Sequence, residues 1–152
     1  METNFNLNQK FIPMPVERIW VIDDDIDQHQ LVRVATRMAQ IPVQLEFFVQ
    51  ASEAILRLQS LQTNFPGLIV SDLKLPVMTG LEFLDWLRAS PFAVIPVIIR
   101  SNSLLQQDIN AAYEHGANAY LLKGADLDTI QDNLRTLVKF WNHMCTPDIS
   151  QI

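Results

Sequence analysis

Residues 68–72 read Leu68-Ile69-Val70-Ser71-Asp72, a short apolar run that ends in a hydroxyl and an acid. An unbroken apolar run of this length is typical of a strand that is buried on both faces of a parallel sheet. We therefore predict a strand at Leu68–Val70 that ends at Ser71 and Asp72. This arrangement places a carboxylate at the carboxyl end of a central strand.

The same pattern recurs along the chain on both sides of this strand. Short apolar runs predict four further strands, at 19–22, 43–49, 97–99 and 119–122. Apolar residues at helical spacing predict five helices that alternate with the strands. Four helix starts are predicted from capping residues, which are Asp27, Ser52, Thr79 (with Glu82) and Ser103.

Five strands alternating with five helices predict an α/β fold with a parallel sheet covered on both faces. Right-handed crossovers leave few topologies open. We predict a doubly wound, flavodoxin-like sheet with strand order 2-1-3-4-5. In such sheets ligands bind beyond the carboxyl ends of the strands, where the order reverses between the first and third strands.

One domain accounts for most of the chain. We predict it at residues 18–143, with an N-terminal extension at 1–17 and a C-terminal tail at 144–152. The extension alternates asparagine with apolar residues, and Pro13 and Pro15 exclude a helix there. It is interpreted either as an arm that docks on the domain or as a loose segment.

The composition narrows the classes of function. Hydrophobic residues make up 49% of the 152 residues and charged residues 18%, which favours a folded core over disorder. The net charge of −6 argues against binding to nucleic-acid phosphates or to an anionic membrane surface. The single cysteine, Cys145, cannot form an internal disulfide, and no signal peptide or membrane-spanning run is visible. We therefore expect a soluble cytoplasmic protein.

Charged and hydroxyl side chains follow four of the predicted strands. Asp23–Asp25 follow the first, and Asp72, Ser101 and Lys123 follow the third, fourth and fifth. Clustered carboxylates repel one another unless a cation intervenes, and Mg²⁺ prefers carboxylate, carbonyl and water oxygens. With the charge neutralised by Mg²⁺ and a lysine, one carboxylate can attack phosphorus as a nucleophile. Taken alone, each residue also fits a cap, a loop or a surface charge.

The chain resembles the receiver domains of two-component response regulators, of the stand-alone, chemotaxis-regulator-like type, over roughly residues 18–142. Four motifs carry the resemblance: Val21–Asp25, Val70–Gly80, Pro96–Ser101 and Gly116–Lys123. The resemblance implies phosphorelay signalling, in which a sensor histidine kinase or phosphotransfer protein donates a phosphoryl group. The protein is then a regulator that catalyses only its own phosphoryl transfer and dephosphorylation, not an enzyme with other substrates.

The resemblance also implies a role for each motif residue. Asp72 is expected to be the phospho-acceptor. The side chains of Asp24 and Asp72 and the main-chain carbonyl of Lys74 are expected to bind Mg²⁺ directly, with Asp23 acting through water. Lys123 is expected to contact the phosphoryl group.

A conformational switch is implied as well. Ser101 is expected to hydrogen-bond the phosphoryl group, and Tyr120 to turn inward when Ser101 moves. The surface of the fourth helix, fifth strand and fifth helix is then expected to bind a partner or to form a homodimer.

Three residues depart from the family pattern. Gly124 follows Lys123 where the family usually has proline in a cis peptide, so a trans loop of different shape is expected. Asn102 follows Ser101 where a very small residue is usual, so it either crowds the pocket or adds a hydrogen bond. Arg100 is a charge at an expected apolar strand position, and the sequence offers no explanation for it.

Two other classes of function remain open at this stage. The departures favour a receiver-like interaction module that is not phosphorylated, whereas the retained acids and lysine disfavour it. A flavin carrier needs a phosphate-cradling loop after the first strand, but Asp23–Asp25 repel phosphate. A phosphohydrolase usually has a second acid two residues after its nucleophile, and this chain has Lys74 there.

Overall fold

The computed structural model describes residues 15–124, 126–144, 147–149 and 152. Residues 1–14 of the predicted extension, and Cys145 in the predicted tail, lie outside these residues. The strands are β1 Arg18–Ile22, β2 Gln44–Phe48, β3 Leu68–Asp72, β4 Val97–Ser101 and β5 Ala119–Leu122. The helices are α1 Ile26–Met38, α2 Ala51–Ser60, α3 Gly80–Arg88, α4 Gln106–Glu114 and α5 Leu127–Asn142.

The five strands form one parallel sheet in the order β2-β1-β3-β4-β5, which confirms the predicted topology. The central strands are the apolar ones because helices cover both of their faces. Along β1, Trp20 and Ile22 pack into one core cluster with α2, α3 and α4. Ile19 and Val21 pack into the other cluster with α1 and α5.

Strand β3 ends at Asp72, as predicted, whereas β4 is two residues longer than predicted. Asp72 and Ser101 are the last residues of their strands. Both positions belong to the hydrogen-bonded ladder, because Asp72 pairs with Arg100 and Ser101 pairs with Leu122. The backbone of the sheet therefore holds these two side chains directly.

The helix starts follow the prediction at only one of the four positions. Thr79 and Glu82 form the predicted capping box at α3, with reciprocal bonds of 3.2 and 3.3 Å. The prediction for α1 was wrong, because the side chain of Asp25, not Asp27, accepts the bond that caps the helix. The α2 cap is Gln50 rather than Ser52, and the α4 cap is Leu105 rather than Ser103.

The two ends of the described chain both touch the domain. The side chain of Val16 is buried in the α1–α5 cluster, and its backbone N–H donates to Asn142 Oδ1 at 2.8 Å. Ile149 and Ile152 pack against the opposite cluster. None of the described helices is long and apolar enough to cross a membrane.

Candidate functional site

Four strands bring the predicted site residues to one edge of the sheet. Asp23 and Asp24 follow β1, Asp72 ends β3, Ser101 ends β4, and Lys123 follows β5. Parallel strands end on the same side, so residues far apart in sequence become neighbours there. One carboxylate oxygen from each of Asp23, Asp24 and Asp72 lies within 4.8 Å of the other two, and these three residues are called the acidic pocket below.

Asp23 is the buried member of the acidic pocket. Its Oδ1 accepts a hydrogen bond from the Asp25 N–H at 2.9 Å, and its own N–H donates to the Phe48 carbonyl at 3.0 Å. Its carbonyl oxygen lies 2.7 Å from Nε2 of His29, on α1. These contacts hold Asp23 in one orientation, whereas Asp24 next to it is exposed to solvent.

Lys123 joins two members of the pocket. Its Nζ lies 2.8 Å from Asp23 Oδ2 and 2.8 Å from Asp72 Oδ2, and only 8% of its side chain is exposed. Burial alone lowers the pKa of Lys123, but hydrogen bonds to both carboxylates and their negative charge more than offset burial, so the pKa is raised. The ammonium therefore stays charged and binds the two acids together.

The donor set of the acidic pocket fits a hard divalent cation. Three carboxylates from two adjacent strand ends offer the oxygen ligands that Mg²⁺ and Mn²⁺ take, and the exposure of Asp24 leaves a side open to water. Lys74 is exposed, and its N–H donates to Asp72 Oδ1 at 3.3 Å. The expected role of its carbonyl oxygen stays a prediction.

The loop after Asp72 brings the end of β3 close to the start of α3. Gly80 N–H donates to the Leu73 carbonyl at 3.0 Å, and a Cβ at Gly80 would lie 3.0 Å from Leu73 Cα and closer still to the Asp72 carbonyl oxygen. Glycine is therefore required there by a close backbone approach. Val77 in this loop has a φ of 66°, which is strained for a β-branched residue.

The two predicted switch residues share a partner that the sequence did not reveal. Ser101 Oγ accepts a hydrogen bond from the Ser103 N–H at 3.1 Å. The Tyr120 hydroxyl donates to the Ser103 carbonyl at 2.8 Å. Ser103 was predicted only as a helix cap, and it instead connects the end of β4 to the middle of β5.

Contacts near the site account for Gly124, and the exposed position of Asn102 shows how the pocket accommodates it. A Cβ at Gly124 would lie 2.7 Å from Thr129 Cγ2, so the close approach of α5 requires glycine. The described residues contain no cis peptide bond. Asn102 is exposed at the rim of the cleft that Asp72, Ser101 and Lys123 also line, so it does not fill the pocket.

Arg100 lies beside the pocket rather than in solvent. Its Nη2 donates to Gln28 Oε1 on α1 at 3.0 Å, and its Nη1 lies 4.0 Å from Asp23 Oδ2. Burial lowers the pKa of Arg100, and the charges of Asp23 and Asp72 raise it to a smaller extent. The sequence contained one sign of this arrangement, a charge at a position where an apolar strand residue was expected. Nothing in the sequence indicated that Gln28 contacts Arg100 or that His29 contacts Asp23.

Comparison with known proteins decides the family. The family described as the response regulator receiver domain matches residues 19–135 of this chain. The chain belongs to that family. As a receiver domain of two-component phosphorelay signalling, it is a regulator rather than an enzyme with substrates of its own.

Individual relatives agree with this assignment. Response regulator Rcp1 from Synechocystis is 29% identical over 132 residues, which cover 84% of this chain and 90% of Rcp1. The Mn²⁺-bound structure of Rcp1 is 27% identical with a TM-score of 0.72, covering 86% of this chain and 97% of Rcp1. The phosphorylated cyanobacterial phytochrome response regulator RcpA is 25% identical with a TM-score of 0.77, covering 88% of this chain and 99% of RcpA.

Proposed function

We propose that Asp72 accepts the phosphoryl group. The supporting observation is its carboxylate, which ends a central strand 2.8 Å from Lys123 Nζ and within 4.8 Å of Asp23 and Asp24. Asp72 is also the member of the acidic pocket that lines the cleft together with Ser101 and Lys123, whereas Asp23 is buried. A donor that enters this cleft therefore lies beside Asp72.

The transfer is a displacement at phosphorus. A carboxylate oxygen of Asp72 forms the new O–P bond while the P–N bond of a donor phosphohistidine breaks, and the imidazole leaves. Lys123 already touches Asp72 and offers its charge to the phosphoryl oxygens. The product is an acyl phosphate on Asp72.

Mg²⁺ is the proposed cofactor. Asp24, Asp72 and the Lys74 carbonyl would hold it directly, and Asp23 would act through water. When bound, it neutralises the charge of the acceptor and of the phosphoryl group. The relative Rcp1 has been solved with Mn²⁺ bound, which supports a divalent cation at this kind of site.

The proposed switch runs from the phosphoryl group through Ser101 to Tyr120. Both residues contact Ser103, so a shift of the β4–α4 loop toward a phosphoryl group would change both hydrogen bonds together. The surface of α4, β5 and α5, together with the loop before α4, carries exposed apolar side chains, which are Leu104 and Leu105 directly before α4, Tyr113 on α4 and Leu122 on β5. We propose that this surface binds a partner protein or a second copy of the chain.

The donor is proposed to be a sensor histidine kinase or a phosphotransfer protein in the cytoplasm. The chain would catalyse only its own phosphoryl transfer and dephosphorylation. Residues 18–143 are proposed as the receiver, and 1–17 and 144–152 as segments that flank it.

Incubation with acetyl phosphate and Mg²⁺, followed by intact mass measurement, tests this function. We expect wild type to gain one phosphoryl group that is lost at high pH, as an acyl phosphate must be. Asp72→Asn should gain none, and Asp132→Asn, a change at an exposed acid on α5, should behave as wild type. A folded wild type that gains no phosphoryl group would favour the unphosphorylated interaction module.

Hydrogen exchange tests the switch separately. With beryllofluoride at Asp72, protection should change in residues 104–115, 119–122 and 127–141 as well as in the Asp72 loop. A change confined to the Asp72 loop would place the output surface elsewhere.

A further inference from the structure

Arg100 is a buried cation whose hydrogen bonding is incomplete. It lies on β4 opposite Asp72, and 7% of its side chain is exposed. Nη2 donates to Gln28 Oε1, but Nη1 is buried and has no hydrogen-bond partner within the described part of the chain. A buried donor without a partner is rare enough to require an explanation.

The surroundings of Arg100 make the charge costly. It lines an apolar cavity together with Val70, Leu121 and Ile130, and Gln28 is neutral. A guanidinium cannot lose its proton in a protein, so it must be stabilised by nearby anions. Asp23 and Asp72 are the charges that act on it, and Asp23 Oδ2 lies 4.0 Å from Nη1. The guanidinium therefore depends on the acidic pocket.

The acidic pocket is in turn affected by the positive charges beside it. Lys123 occupies Asp23 Oδ2 and Asp72 Oδ2 at 2.8 Å, and Arg100 adds a second permanent cation beside Asp23. Three carboxylates thus face two fixed positive charges before any metal binds. A divalent cation that enters the pocket is attracted by the three carboxylates and repelled by Lys123 and Arg100.

We propose that Arg100 is a built-in counter-ion that weakens divalent-cation binding at the acidic pocket. This inference rests on the proposed metal site and adds the residue that sets its affinity. Arg100 acts through the electric field of its own charge on a cation in the acidic pocket, so no contact with the metal or the phosphoryl group is required of it, and the effect persists when Asp23 is replaced by a neutral residue. An apolar residue at position 100 should leave a pocket that binds the divalent cation more tightly.

Isothermal titration of the unphosphorylated full chain with MgCl₂ measures the effect directly. Arg100→Met keeps an unbranched apolar stem and removes the charged guanidinium, and we expect it to bind Mg²⁺ at least about tenfold more tightly than wild type, since a unit charge a few ångströms away is worth more than that in a partly buried site. Arg100→Lys keeps the charge and should stay within about threefold of wild type. Gln28→Leu removes the hydrogen bond but keeps the guanidinium, and it should also stay within about threefold.

The outcomes separate charge from packing. If Arg100→Lys binds as tightly as Arg100→Met, or if Gln28→Leu has the same effect, the packing of α1 rather than the charge controls the pocket, and the proposal is wrong. Equal affinity of wild type and Arg100→Met overturns the proposal but leaves the metal site in place. If neither protein binds Mg²⁺ while both are folded, the metal site itself fails, and the role of Arg100 fails with it.

A second comparison covers the case in which Arg100→Met does not fold. Asp23→Asn removes the carboxylate nearest to Arg100, so the change to methionine on that background leaves no unpaired acid beside position 100. The double variant should bind Mg²⁺ at least about tenfold more tightly than Asp23→Asn alone, by the same field argument. Equal affinities in this pair overturn the proposal.

Discussion

Replacement of Lys123 by methionine tests the electrostatic design of the site. Lys123 Nζ lies 2.8 Å from both Asp23 Oδ2 and Asp72 Oδ2. At an effective dielectric constant of about 20, each contact contributes about 6 kcal/mol of Coulomb attraction, most of which offsets the desolvation of the ammonium. Removal of one partner from a buried ion pair typically costs about 3–5 kcal/mol, because the other partner stays buried and unpaired. We expect Lys123→Met to lose free energy of unfolding in this range.

Urea unfolding without metal at pH 7 measures this loss. Lys139→Met is the matched control, because Lys139 is exposed on α5, and it should change the free energy of unfolding by less than about 0.5 kcal/mol. Added Mg²⁺ should stabilise Lys123→Met more than it stabilises wild type, because the cation replaces the missing positive charge. A loss below about 1 kcal/mol in Lys123→Met would refute the view that Lys123 neutralises the pocket.

The pH dependence of wild type gives a further check on the same residue. The folded-state pKa of Lys123 is raised, so its contribution to stability is complete below the pKa of an unfolded lysine, about 10.4. The contribution is lost as the pH rises through the higher folded-state value. Wild type should therefore lose this stability at alkaline pH, and Lys123→Met should lack that part of the profile.

Three substitutions in the segment after Asp72 should have separate effects, all measured by urea unfolding. Gly80→Ala places a Cβ against the Asp72 and Leu73 backbone and should cost about 3 kcal/mol and abolish phosphorylation; normal values for both would contradict the close approach. Val77→Asn should raise the free energy of unfolding by about 1 kcal/mol, because asparagine tolerates a φ of 66°, and no gain would mean that the loop is not strained. Thr79→Ala should lower it by about 1 kcal/mol through loss of the capping box, an effect that Thr79→Ser should largely avoid.

The sheet could be predicted because the sequence patterns of strands are local and the rules that connect strands apply to all parallel sheets. Five apolar runs, each separated from the next by a helix, leave few topologies once crossovers are right-handed. The rule that ligands bind at the carboxyl ends of the strands then selected Asp23, Asp72, Ser101 and Lys123, and the structure brings them together. Their chemical roles remain proposals.

The features that the sequence could not predict depend on the backbone conformation at single residues and on contacts between segments. Asp25 and Asp27 are both competent caps, and only the extended backbone at Asp25 decides between them. Arg100 is explained by Gln28 and Asp23, which are more than 70 residues away along the chain. Gly124 is required by Thr129, and this contact exists only after α5 has packed. Periodicity and composition carry no information about such contacts.

The most direct test of the central claim is to locate the phosphoryl group on the chain. After reaction with acetyl phosphate and Mg²⁺, borohydride reduction converts a phosphorylated aspartate to homoserine, and peptide mass mapping identifies the residue. We predict homoserine at position 72 and unmodified aspartate at positions 23 and 24. Homoserine at either of those positions, with Asp72 intact, would contradict the assignment of Asp72 as the acceptor.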